Sequence, residues 1–198
     1  MKWLASTLVL VVCLAMAPAA SADQTIVFFR HGEKPSSGLG QITCQGLNRA
    51  LALAPLLISR FGRPDYLYAP NPNQKIIDPG GDYYYVRPLA TLEPVAIRAG
   101  KSVNTSAGYK EIGALESLLI LKAKSQTTIF VAWEHQYLVK AVQAIMNKYG
   151  GRQTVPAWTS GDYDALYIVN VNYDGSSPVA TFRRESQGLN GMPTTCPQ

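Results

Sequence analysis

Histidine is scarce in this chain. Only two occur among 198 residues, His31 and His135. They stand apart with no paired spacing, a poor ligand set for a metal ion, so neither a metal site nor a cofactor is expected. Basic blocks are missing too. Lys and Arg outnumber Asp and Glu by 18 to 13, yet no Lys/Arg run or aromatic-interleaved basic stretch appears, which argues against nucleic acid as a partner. No Gly-x-Ser-x-Gly elbow is present and no serine clearly partners either histidine, which disfavours a generic α/β hydrolase. No internal repeat or second domain can be traced. Nor is there an apolar run long enough to span a bilayer, because Leu4 to Met16 falls short.

That short run belongs to a leader. Lys2 gives a positive start, and Ala20-Ser21-Ala22 matches a small-x-small cleavage site. The expectation is cleavage after Ala22 and export to the periplasm or beyond from a bacterial cell. Cys13 follows Val12 rather than a small residue, so no lipid or other stable membrane anchor is expected. Residues 23–198 are of single-domain length and keep two cysteines, Cys44 and Cys196. In an oxidising compartment these either form one disulfide, tying the tail to the first helix, or stay as two thiols. The basic balance that remains, about +4 without Lys2, fits an anionic substrate or surface.

The chain is organised around Thr25-Ile26-Val27-Phe28-Phe29-Arg30-His31-Gly32-Glu33-Lys34-Pro35. Four apolar residues rich in β-branched and aromatic side chains read as a strand buried on both faces. Such strands belong to parallel α/β sheets, whose ligands sit beyond the strands' carboxyl ends. Arg30 and His31 fall at that end. Gly32 lets the backbone bend and approach a ligand closely, and Pro35 ends the strand. Arg30 offers a planar fork of donors matched to phosphate or carboxylate, and Lys34 adds a point charge. An imidazole between two cations has its pKa pulled down, leaving a neutral nucleophile or base. The plainer alternative is a strand end with a surface charge cluster.

Thr127-Thr128-Ile129-Phe130-Val131-Ala132-Trp133-Glu134-His135 repeats the pattern. Two parallel strands that each end in histidine bring both imidazoles to one rim of the sheet. Between them lies Arg87, beside a short helical pattern. Two arginines and two histidines on one rim make a cage for a tetrahedral oxyanion.

Arg30-His31-Gly32, the later Arg87 in an Arg-x-x-x-Thr-x-Glu-Pro setting, and the strand-terminal His135 resemble the histidine phosphatase (phosphoglycerate-mutase-like) superfamily. Thr43 to Ala50, as Thr-x-x-Gly-x-x-Arg-Ala, resembles that family's first helix. The resemblance implies a three-layer α/β/α fold with a mostly parallel central sheet; the sequence adds an antiparallel edge hairpin from Asp164–Val171 and Val179–Arg183, joined through Asn172-Tyr173-Asp174-Gly175. It implies that His31 attacks phosphorus while Arg30, Arg87 and His135 hold the phosphoryl oxygens, without a metal. Lys34 stands where relatives place an arginine, as a further substrate contact.

The leaving oxygen needs a proton donor. Many relatives have an acidic residue directly after the second histidine, where this chain has Gln136. Glu134, Glu93 and Glu33 are the candidates, and Glu134 is favoured because it adjoins His135. Glu33 would more simply pair with Lys34 or Arg87. The expected activity is that of an exported phosphomonoesterase acting on a small-molecule or envelope phosphate ester, and the alternative is a non-catalytic phosphate or phosphosugar binder on the same fold. Oligomeric state is not legible.

Elsewhere, spacing predicts a helix from the Thr43 cap to the Gly62 stop, with Leu51 in its inward stripe and a kink at Pro55. Tyr66–Tyr68 reads as a short strand. Residues 70–85 read as a long loop without a period, either shaping a substrate pocket through Lys75 and Tyr83 to Tyr85 or lacking order. Helices are expected over Leu89–Ile97, Tyr109–Lys122 and beyond His135, with Glu111 and Glu116 as solvated charges. A weak strand is expected at Ser102–Asn104 and a polar tail from residue 186.

Overall fold

The apolar run before the first histidine forms β1 (Asp23–Arg30), in which Ile26, Val27, Phe28 and Phe29 are wholly buried. The structure, a computed structural model, describes residues 23–120, 126–173 and 176–198. The leader with its cleavage site and Cys13, the helix end near Lys122, and Asp174-Gly175 of the turn lie outside the described residues.

β1 sits inside a six-stranded sheet. Beside it on one side runs β6 (Thr127–Trp133), parallel and in register from Gln24↔Thr127 to Arg30↔Trp133. Beyond β6 lie β2 (Tyr66–Tyr68) and then β5 (Val103–Asn104), also parallel. On the other side β7 (Ala165–Asn172) pairs antiparallel with β1 and forms a hairpin with the edge strand β8 (Val179–Ser186). The mostly parallel sheet with an antiparallel edge hairpin is therefore as expected.

Helices cover both faces. α1 (Cys44–Phe61) and α2 (Arg87–Ala99) pack with Val27, Phe29, Phe130 and Ala132. α3 (Ile112–Ile120) and α4 (His135–Lys148) pack with Ile26, Phe28, Ile129 and Val131. The alternation of side chains along β1 and β6 assigns each residue to one of these two cores. Both histidine-bearing strand ends arrive at one rim because the strands are parallel and paired residue for residue.

Thr43 caps α1, its hydroxyl accepting from the Gly46 amide at 3.1 Å, and Gly62 ends the helix with φ 81°, a conformation that suits glycine. Pro55 lies inside α1 without ending it. Leu51, whose spacing put it inward, is 46% exposed. α2 begins at Arg87, earlier than expected, because Pro88 falls in the first turn, where a missing N–H leaves no bond unmade. The segment read as a long loop contains a second, two-stranded sheet, β3 (Lys75–Asp78) and β4 (Gly81–Tyr84). A disulfide joins Cys44 to Cys196. Beside it the Asn48 side-chain amide donates to Pro193 O (2.9 Å) and Thr195 O (2.7 Å), so the tail is tied down on α1.

Candidate active site

β1 ends in Arg30 and delivers His31 to the rim, where its amide donates to Trp133 O at the end of β6 (3.3 Å). The next turn is fixed on two sides. The Gly32 amide donates to Thr91 Oγ1 (2.8 Å), which itself donates to Arg87 O (2.8 Å). On the other side, a Cβ on Gly32 would lie 2.8 Å from Gly46 O. Gly32 thus permits close approach to the first turn of α1.

His31 is 2% exposed. Its Nδ1 lies 2.7 Å from Gly32 O, a carbonyl that only accepts, so Nδ1 carries the proton and Nε2 keeps the lone pair. Burial holds the imidazole well below its ordinary pKa, and the charges of Arg30, Arg87 and His135 add to this against the Gly32 hydrogen bond. His135 opens α4 directly after β6, whose end pairs with that of β1 at Arg30↔Trp133, so the two histidines share one rim. Edge-on, the Tyr85 ring stands 6.1 Å from the imidazole, and Tyr163 lies 6.2 Å away.

Both arginines are buried and partly engaged. Arg30 donates through one terminal nitrogen to Ser160 O and to Asp162 O (3.3 Å), and its guanidinium stacks 4.1 Å from the Tyr163 ring centre. Arg87 donates to Gly38 O (3.2 Å) and forks onto Asp78. Lys34 also turns to Asp78, at 3.5 Å. Of Asp78, burial raises the carboxyl pKa, but Arg87, the Gly40 amide and Lys34 outweigh it and hold it below its ordinary value. The Nε of Arg30, the Nε of Arg87 and the Tyr85 hydroxyl are buried without a hydrogen-bond partner among the described residues. Buried donors normally find acceptors.

Glu134 caps α4, its carboxylate accepting from the Gln136 (2.8 Å) and Tyr137 (3.0 Å) amides. The other carboxylate oxygen lies 2.6 Å from His135 Nδ1. Burial pushes this carboxyl up, yet the contacts with His135, Tyr137 and Gln136 prevail and keep it below its ordinary range. Glu33 is committed elsewhere. Rather than Lys34 or Arg87, it binds Arg49, which donates through Nε to both carboxylate oxygens (3.0 Å each) and through a terminal nitrogen to one (2.7 Å). Glu93 is exposed on α2. Glu111 and Glu116 are engaged rather than free, Glu111 with Gln74 (3.0 Å) and Glu116 with Lys148 (3.3 Å).

Sequence reasoning missed Asp78, Tyr163 and Arg49. Asp78 and Tyr163 lay in stretches without period, and Arg49, though part of the first helix's motif, gave no local sign of the carboxylates it binds. Lys75, expected near a pocket, faces out beside Tyr84. Among the described residues no group of three His, Cys, Asp or Glu side chains comes together as a metal site.

Solved structures share this architecture. Phosphoglycerate mutase from Plasmodium falciparum superposes with a TM-score of 0.54 at 11% identity, over 89% of this chain and 98% of its own. A protein assigned as phosphohistidine phosphatase SixA from Nakamurella multipartitia gives 0.50 at 15%, over 85% and 98%. Its counterpart from Agrobacterium tumefaciens gives 0.50 at 14%, over 81% and 94%. No protein-family model matches the chain, and no curated protein matches it significantly in sequence. At such identities the likeness is one of fold, and that fold is phosphoglycerate-mutase-like, as the motifs implied.

Proposed function

We propose that the protein is a phosphomonoesterase working through a phosphohistidine on His31. The observation that carries this is the state of that imidazole: buried and neutral, with Nδ1 bound to Gly32 O, which leaves the lone pair on Nε2, and with the charges of Arg30 and Arg87 acting on it. In the first step the Nε2 lone pair forms the bond to phosphorus as the ester P–O bond breaks, and the leaving oxygen takes a proton. Water then attacks the phosphohistidine, giving inorganic phosphate and restoring the imidazole. Arg30, Arg87 and His135 hold the phosphoryl oxygens and stabilise their charge, and Lys34 is a further contact.

Glu134 is the proposed proton donor. Its carboxyl is held low, so it is ionised at neutral pH and carries a proton for the leaving oxygen only in acid. The enzyme is accordingly best suited to esters with good leaving groups. The same observation favours a second reading, a phosphate or phosphosugar binder without turnover, since Glu33 is occupied by Arg49 and Glu93 is exposed. Export to the periplasm or beyond is supported by the leader motif and by the Cys44–Cys196 bond, which belongs to oxidising compartments. A small or envelope phosphate ester fits that location.

The test is hydrolysis of a chromogenic aryl phosphate by residues 23–198, wild type beside His31→Ala, with chelator present. Turnover abolished in the variant and insensitive to chelator is expected. No turnover in acid or at neutral pH, from a folded protein that binds phosphate, would transfer the assignment to the binder.

A further inference from the structure

The β3–β4 hairpin reaches the rim from outside the main sheet. Its register and pleat leave Lys75, Ile77, Asp82 and Tyr84 exposed and turn Asp78 toward the body, where it is 6% exposed. The Asp78 carboxylate accepts from both terminal nitrogens of Arg87 (2.7 and 3.3 Å) and from the Gly40 amide (3.0 Å), with Lys34 beside it. A guanidinium fork, a main-chain amide and an ammonium around one anion are the same donors that a phosphoryl group would use.

The fit is close. A Cβ on Gly38 would lie 2.1 Å from the Asp78 carboxyl carbon, and one on Gly40 would lie 2.0 Å from Tyr84 O. Two glycines of the loop after β1 therefore let the hairpin seat its carboxylate. With Asp78 in place, both terminal nitrogens of Arg87 are spoken for and only Nε lacks a partner.

We propose that Asp78 is a built-in competitor for the phosphoryl group: its carboxylate fills the anion site of Arg87, Lys34 and the Gly40 amide, and phosphate gains the Arg87 fork only when the hairpin yields it. This rests on reading the rim as a phosphate site, and it makes β3–β4 the element that sets phosphate affinity. A purely positioning Asp78, aiming Arg87 at phosphate, has the opposite sign: removing its charge would weaken binding.

The experiment is calorimetric titration with inorganic phosphate of wild type, Asp78→Asn, Arg87→Met and the Asp78→Asn/Arg87→Met double variant. Asp78→Asn is expected to bind about tenfold tighter, ~1.4 kcal/mol, and the gain is expected to vanish when Arg87 is also replaced. Equal or weaker binding by Asp78→Asn overturns the proposal. Asp78→Ala, which removes the carboxylate outright, supplies a second readout if Asp78→Asn does not fold; it too should tighten binding, and weaker or unchanged affinity counts against the competitor. Aryl phosphate hydrolysis measured alongside separates the two readings. Tighter phosphate binding without turnover upholds the competitor and removes the hydrolase, whereas turnover with unchanged affinity does the reverse.

Discussion

Arg49 is the most consequential charge outside the rim. It is 1% exposed and holds Glu33, Asp164 (3.3 Å) and Gln187 (2.8 Å), joining the turn after His31 to β7 and to the tail. Replacing it with methionine keeps the apolar stem and removes the fork. Two carboxylates then lose their counter-charge. Breaking a buried pair on one side costs about 3–5 kcal/mol. The Glu33 side chain is 13% exposed and regains some water, which places the expected loss near the lower end, about 3 kcal/mol. For a chain of this size that is a fall in Tm of about 6–12 °C. The assay is urea unfolding at neutral pH for wild type, Arg49→Met, Glu33→Gln and the double variant. A coupling energy of about 1 kcal/mol or more between the two sites is expected. A loss under about 1 kcal/mol for Arg49→Met, or additive single variants, would refute the reasoning, because the pair would then be solvated in practice.

Acid should destabilise the protein earlier than its carboxylates alone would cause. The pKa of buried His31 is depressed below 6.5, so the unfolded chain takes up the proton first and stability falls as pH drops below that value, at up to ~1.4 kcal/mol per unit. Asp78, Glu134 and Asp164, all held low, add their loss only below their ordinary values near 4. Urea midpoints from neutral pH to pH 5 should decline in wild type and stay flat in His31→Asn; parallel curves would contradict this. Reducing the Cys44–Cys196 bond, or replacing both with alanine, opens a link across 152 residues and should cost about 5 kcal/mol by loop-closure entropy; an unchanged denaturation midpoint under reductant would show that the bond adds nothing. In acid, where Glu134 is protonated, Glu134→Gln should slow hydrolysis of alkyl phosphates by about 10²-fold and aryl phosphates far less; equal losses on both would exclude proton donation.

Much of the architecture was legible because its strands are simple. Ile26–Phe29 and Ile129–Trp133 are apolar throughout since both faces are covered by helices, and burial of that kind leaves a plain mark in residue type. Thr43 and Gly62 mark the ends of α1 through local hydrogen bonding and backbone freedom. The rim was legible as far as Arg30, His31, Arg87 and His135 were drawn to one side of the sheet. What could not be read was held by long-range charge. Lys75-Ile76-Ile77-Asp78 is too short for a period to stand out, and its hairpin is seated by the Asp78–Arg87 pair, which no local pattern announces. Glu33 turned to Arg49 because α1 packs its first turn on Gly32 and brings the guanidinium within reach, a matter of tertiary placement. α2 begins before Leu89 because its opening proline is harmless at that position.

The place of β1 in the sheet has a kinetic consequence. Its partners are β6, with Gln24 opposite Thr127, and β7, with Ile26 opposite Val169. Both neighbours come from far along the chain, so the loop-closure entropy for each pairing is met before any ladder bond is formed. Refolding should be slow for the protein's size. Until β6 and β7 arrive, Ile26 to Phe29 is a bare, uncharged, β-prone segment, the kind that pairs with copies of itself. A holdase that covers that segment would raise the refolding yield.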